Sequence, residues 1–171
     1  MEKDIYEKLY DHFNEVPASR LRNTKELRDI LHLLFSAEQA EYAVALPITH
    51  QGRLTVEELA KKMGRDVKNV RKNLEVMAKE GYLLVTTSRK AGKTYYALWP
   101  LMPGILESVY ADGNLTDQRR RLTKLVRKYY SNGLWNELAS SKYSQMRIIP
   151  INQQVNPESE VFSFEEVQRI I

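Results

Sequence analysis

Leu54-Thr55-Val56-Glu57-Glu58-Leu59-Ala60-Lys61-Lys62-Met63-Gly64-Arg65-Asp66-Val67-Lys68-Asn69-Val70-Arg71-Lys72-Asn73-Leu74-Glu75-Val76-Met77-Ala78-Lys79-Glu80-Gly81 is the stretch that decides the fold. Thr55 followed by Glu58 is a capping box, so a short helix starts at Val56 and turns Leu59, Ala60 and Met63 inward. Gly64 is suited to the left-handed residue that ends such a helix. Asp66 then caps a second helix, predicted over 67–80 and closed by Gly81. Two short helices joined by a tight turn make a helix-turn-helix. Downstream, Tyr82-Leu83-Leu84-Val85-Thr86-Thr87 and Thr94-Tyr95-Tyr96-Ala97-Leu98-Trp99 are rich in strand formers. They flank a turn at Ser88-Arg89-Lys90-Ala91-Gly92-Lys93, so a hairpin follows the helices.

Upstream, Ile5, Leu9, Phe13 and Val16 fall at helical spacing over 4–16, before Pro17. Asn23 and Glu26 suggest a capping pair for a helix over 24–34 with Leu27, Ile30, Leu31 and Leu34 inward. Ser36 and Gln39 suggest another for 37–46, closed by Pro47. Helix, helix, helix, hairpin is the order of a winged helix. The predicted class is therefore α+β and mainly α, with N-terminal helices before the winged helix-turn-helix. A helical C-terminal extension ending in short strands follows. The expected divisions are an N-terminal helix at 1–23, the winged domain at 24–100 and the extension at 101–171.

In that extension, Pro103-Gly104 is expected to open a helix reaching about Tyr110, before a break at Gly113-Asn114. Thr116 or Asp117 caps a long helix with Leu122, Leu125, Val126 and Tyr129 inward. Trp135 and Leu138 continue an apolar face. Met146 to Ile151 and Ser159 to Phe164 read as strands, and Ser163 with Glu166 as the start of one more helix. The apolar Val167, Ile170 and Ile171 on that helix suggest a piece of a longer protein.

Charge is unevenly placed. The 171 residues carry a net charge of +4, yet 53–93 holds 11 Lys/Arg against 5 Asp/Glu and 116–130 holds 6 against 1. These islands of +6 and +5 leave −7 for the remainder. On a wheel of about 100° per residue, Val67, Val70, Leu74, Met77 and Ala78 gather on one side of the second helix. Lys68, Asn69, Lys72 and Lys79 gather on the other, with Arg71 and Asn73 flanking and Arg65 in the turn. A basic, amide-bearing outward face concentrated in the first half of a helix matches what a recognition helix presents to base edges and phosphates. Arg89, Lys90 and Lys93 in the hairpin loop add sequence-blind phosphate attraction. The expected DNA-binding set is thus Arg65, Lys68, Asn69, Arg71, Lys72, Asn73, Arg89, Lys90 and Lys93, and the partner is double-stranded DNA. The competing reading is an interaction or dimerisation module with solvated basic faces, since Glu75 stands four residues from both Arg71 and Lys79. For the basic helix after Thr116, an acidic dimer surface or plain solvation is favoured over a phosphate footprint.

Catalytic chemistry is not expected. There is no cysteine, which excludes thiolate zinc sites, disulfides and protein-held iron–sulfur clusters within these residues. The seven glycines form no phosphate loop or dinucleotide fingerprint. His12, His32 and His50 are scattered, with His12 and His32 expected at the surface or the core edge. Tyr95, Tyr96 and Trp99 are expected to pack the hairpin on the helices, with a ligand pocket beside them as the less favoured alternative. No apolar run approaches a membrane span, the start is no secretion signal, and a cytoplasmic, dimeric protein is expected.

The segment 27–99 resembles winged-helix regulators of the MarR/ArsR type, through 54–64 and Leu74-Glu75-Val76-Met77-Ala78-Lys79-Glu80-Gly81-Tyr82-Leu83. A wider resemblance is to the N-terminal region of a prokaryotic group of 4Fe-4S ferredoxin-type iron–sulfur proteins. It rests on Phe35-Ser36-Ala37-Glu38-Gln39-Ala40-Glu41, on 92–105 (Gly92-Lys93-Thr94-Tyr95 through Pro103-Gly104-Ile105), on Arg147-Ile148-Ile149-Pro150-Ile151 and on 158–167. It implies cysteine motifs holding 4Fe-4S clusters beyond residue 171 of a parent protein, with electron transfer or redox sensing there and no cofactor in these residues.

Overall fold

A computed structural model describes residues 3–15, 21–134, 165, 168 and 169. The order is α1 (Ile5–Asn14), α2 (Lys25–Leu34), α3 (Ala37–Ala45), α4 (Val56–Met63), α5 (Val67–Lys79), β1 (Leu83–Ser88), β2 (Lys93–Leu98), α6 (Leu106–Ser108) and α7 (Asp117–Tyr129). The class is α+β, mainly α. Glu165, Gln168 and Arg169 are helical and exposed, in a second unit at 142–171. Val16, Pro17, Trp135, Leu138 and both C-terminal strand predictions lie outside the described residues.

Local chemistry sets most boundaries. The capping boxes of Ser36 with Gln39 and of Thr55 with Glu58 are complete, each hydroxyl accepting the N3 amide and each N3 side chain accepting the cap amide. Asp66 accepts from the amides of Lys68 and Asn69 at 2.9 and 3.1 Å. Both helices of the helix-turn-helix end alike. Gly64 sits at φ 64° and the Arg65 amide reaches Ala60 O at 3.0 Å; Gly81 sits at φ 85° and the Tyr82 amide reaches Met77 O at 3.0 Å. These six-to-one bonds satisfy carbonyls that a helix end otherwise orphans.

Two expectations shift. The cap of α2 is Thr24, whose hydroxyl accepts from the Leu27 amide, while the Asn23 side chain accepts from Arg28 Nε at 2.8 Å. Pro103-Gly104 does not open a helix. Met102 and Pro103 are extended and Gly104 lies at φ 155°, ψ −95°, so 101–105 is a wide irregular turn and helix resumes only for Leu106–Ser108.

β1 and β2 pair antiparallel from Leu83↔Leu98 to Ser88↔Lys93. Leu54 exchanges both backbone bonds with Tyr96 at 2.9 and 2.7 Å, and Ile48 bridges to Leu98. The outer edge of β2 is thereby covered by the segment before α4. Two helices, a hairpin and this short third pairing compose a winged helix.

The core is continuous across it. Leu27, Ile30, Leu31 and Leu34 of α2 meet Leu59, Val70, Leu74 and Met77 of the helix-turn-helix in one buried cluster. Phe35 joins the halves, with its ring 4.7 Å from Tyr82 and 6.3 Å from Phe13. Helix α7 runs antiparallel along α2. Gln118 Nε2 donates to Leu33 O at 2.8 Å at one end, and Asn132 Nδ2 to Glu26 at 3.0 Å at the other. It buries Leu122 and Tyr129, while Leu125 and Val126 are only partly covered. Tyr96 is buried, and Tyr95 and Trp99 are half-buried.

Candidate nucleic-acid interface

The N-terminal half of α5 is anchored from behind. Val70, Leu74 and Met77 are fully buried, whereas Val67, expected inward, is 38% exposed because the first turn projects past the core. Lys68, Asn69 and Lys72 are exposed on the opposite face. Neither lysine makes an ion pair among the described residues. Asn69 accepts from Asn73 Nδ2 at 3.1 Å, which leaves its own amide hydrogens outward.

The other predicted residues of this helix and turn are engaged with neighbouring elements. Arg65 is paired with Glu41 and Glu38 of α3, and its guanidinium lies 4.9 Å from the Tyr42 ring centre. Arg71 pairs with Glu57 of α4 at 3.2 Å. Asn73 donates toward Glu38 and Tyr42 as well as to Asn69. The structure thus places three of the six on internal links and three on open surface.

The hairpin tip is a tight turn. The Gly92 amide reaches Ser88 O at 2.8 Å with Gly92 at φ 62°, and the Ala91 amide reaches the Ser88 hydroxyl at 3.2 Å. Arg89, Lys90 and Lys93 are all exposed on it. Lys93 lies close enough to Glu58 to help hold that carboxyl below its ordinary range, after the larger effect of the Thr55 backbone and side-chain hydrogen bonds.

Arg53 belongs with this group and was not among the predicted contacts. It donates to Thr86 of β1 at 3.0 Å and stands 5.8 Å from the Tyr95 ring centre, an exposed cation beside the middle of the hairpin. Its one sequence signal is its place at the start of the first basic island.

Along α7, Arg120, Arg121, Lys124, Arg127 and Lys128 are exposed. This helix starts near the C-terminal end of α2 and runs back along it, whereas the exposed lysines of α5 stand at that helix's far, N-terminal end. The second basic island is therefore a separate surface.

His12 is 8% exposed in the seam between α1 and α3, with Nε2 2.8 Å from Leu46 O and Nδ1 3.2 Å from Glu15. His32 stacks on Tyr6 at 3.7 Å between ring centres. Among the described residues no group of His, Asp or Glu has the arrangement of a metal site, and no helix is long and apolar enough to cross a membrane.

No protein-family model matches the chain, and no curated protein matches it. Among solved structures it is similar to BpsR of Bordetella bronchiseptica, described in terms of how 6-hydroxynicotinic acid regulates that protein's DNA binding. The likeness has 20% identity, covers 74% of this chain and 87% of that one, and has a TM-score of 0.28.

Proposed function

We propose that this chain is a DNA-binding, transcription-regulator-like winged-helix module for double-stranded DNA. Lys68, Asn69 and Lys72 enter the major groove, and Arg89, Lys90 and Lys93 lie along the phosphates. The observation that carries the reading is the exposed first half of α5, whose lysines have no carboxylate partner among the described residues although the carboxylates of α3 and α4 hold Arg65 and Arg71 nearby. Lysine supplies phosphate attraction or a guanine contact, and asparagine pairs with adenine. Arg65, Arg71 and Asn73 fix the helix that carries these groups.

The test is fluorescence anisotropy of random and genomic duplexes at two salt concentrations. Each phosphate contact steepens the logarithmic salt slope by about 0.9. The variant carrying Lys68→Glu, Lys72→Glu, Arg89→Glu and Lys90→Glu is expected to lose binding. No binding at low salt, or equal affinity in that variant, rejects the reading.

The second reading is a docking or homodimerisation surface. Its support is Val76 on α5 and Val85 on β1, 45% and 42% exposed. Sedimentation at several concentrations, with Val76→Asp as the disrupting variant, tests it. On the wider resemblance given above, either module would serve a longer protein with an iron–sulfur domain, and a redox signal would then be the input.

A further inference from the structure

A cavity of about 140 Å³ lies behind the C-terminal end of α5, where α2, the Glu80–Tyr82 segment, the end of α6 and the start of α7 converge. Leu33, Leu34, Val109 and Leu122 give it an apolar wall. Cavities of about 150 Å³ accept a benzene ring.

Its polar side chains are Glu80, Tyr82, Thr116, Gln118 and Arg119. Glu80, the cap residue of α5, is half-buried at the rim. One carboxylate oxygen accepts from Gln39 Nε2 at 2.8 Å, and no cation pairs with the carboxylate among the described residues. Burial pushes this carboxyl above its ordinary value, against the smaller effect of Gln39. Gln118, exposed at the rim, uses its amide nitrogen on Leu33 O. Among the described residues Arg119 is the one cation on the wall, and it is already neutralised. It forms a bidentate pair with Asp112, with the Nη2 bond at 3.0 Å, and also donates to Asn114 O. The Tyr82 hydroxyl donates to Leu34 O at 2.6 Å, which turns its lone pairs rather than its proton to the cavity.

We infer that this cavity is a binding site for a small organic ammonium with a ring-sized apolar body, the ammonium resting on Glu80. An anion would meet the Glu80 carboxylate and an arginine with no charge to spare. A neutral ring would fill the apolar wall but leave Glu80 without a counter-charge. Occupancy would bear on the C-terminal end of α5. Gly81 packs so closely on α6 that a Cβ there would lie 2.9 Å from Ser108 O. Any consequence for DNA rests on the function proposed above, whereas occupancy itself does not.

The experiment is calorimetric and NMR titration of the full 171-residue chain, without DNA, using benzylamine, benzyl alcohol and benzoate at neutral pH. The expected result is saturable one-to-one binding of benzylamine, with shifts at Glu80, Val109 and Leu122. Benzyl alcohol, and benzylamine on Glu80→Gln, are expected to bind at least about tenfold more weakly. Absence of saturable benzylamine binding overturns the site, as does equal affinity in Glu80→Gln or benzoate binding as tight as the amine. The three-ligand comparison in the unaltered chain decides the matter even if the variant folds poorly. Because DNA is absent, failure of the DNA reading leaves this result standing.

Discussion

The Arg65 guanidinium stands over the Tyr42 ring, 4.9 Å from its centre, while the same side chain pairs with Glu41 and, at 3.7 Å, with Glu38. The turn between α4 and α5 is thereby tied to α3, and the entry angle of α5 is set by a residue that does not itself face outward. Arg65→Ala is expected to lower the unfolding free energy by about 1 kcal/mol, from a partly exposed cation–π contact and exposed ion pairs. Arg65→Lys should recover only part, since an ammonium neither stacks nor bonds in a planar fork. In DNA titrations Arg65→Ala should weaken binding without changing the salt slope, whereas Lys68→Ala and Lys72→Ala should each flatten it by about 1. A flattened slope in Arg65→Ala would make Arg65 a phosphate contact.

The two glycines that end α4 and α5 separate backbone cost from steric cost. Gly64 lies at φ 64° with nothing within 4 Å of a Cβ placed on it, so Gly64→Ala carries only the left-handed backbone penalty, about 1 kcal/mol. Gly81 lies at φ 85° and a Cβ there would also lie 2.9 Å from Ser108 O, backbone that cannot swing aside. Gly81→Ala is expected to destabilise clearly more than Gly64→Ala in urea unfolding. Equal midpoints for the two would mean that α6 is not held against α5.

What the sequence made legible here was local. Thr55 with Glu58, Ser36 with Gln39, Asp66, Gly64 and Gly81 act within a few residues of themselves, so their spacing predicts the helix ends to within one or two positions. Asn23 and Thr24 are both good caps, and spacing alone does not choose between them; the chain folds on Thr24. Pro103 looked like a first-turn proline, yet Gly104 takes a conformation outside the helix, and its amide donates to Glu107 Oε2 at 2.5 Å instead of entering a helical ladder. The engagement of Arg65 by Glu38 and Glu41, and of Asn73 by Glu38 and Tyr42, joins residues 24 to 35 positions apart. A wheel drawn on α5 alone therefore counts them with Lys68 and Lys72. Glu80, as a helix-end carboxylate, gives no local sign that α2 and α7 close a cavity around it.

Asp112 and Arg119 predict an acid-sensitive link in front of α7. The Arg119 side chain and the Asn114 amide hold the Asp112 carboxyl well below its ordinary value of 3.8. A depressed folded value means that the contribution to stability is complete above the unfolded value and is lost as pH falls below about 4. Asp112→Asn should therefore bring the urea midpoint down at neutral pH, by a gap that narrows as pH falls below about 4. A constant gap between the two proteins from pH 7 to pH 3 would show that the pair contributes through packing and not through charge.

Glu80 predicts the opposite sign. Its folded value is raised above the ordinary 4.5, chiefly by burial, so the folded state holds its proton more tightly than the unfolded chain. Below about 4.5 both states are protonated and no penalty exists. As pH rises through that value the unfolded chain ionises first and stability falls, until the folded carboxyl has also ionised and the penalty is constant. The charge also lies at the negative end of the α5 dipole, which adds in the same direction. Glu80→Gln keeps an oxygen to accept from Gln39 and removes the charge. The variant should be more stable than the unaltered chain at pH 7, by about 0.5 kcal/mol, and the advantage should shrink toward zero near pH 3.5. Urea midpoints at four pH values measure it. A variant that is less stable at pH 7 would mean that Glu80 already has a cationic partner in the folded protein, and would remove the reason for an ammonium in the cavity beside it.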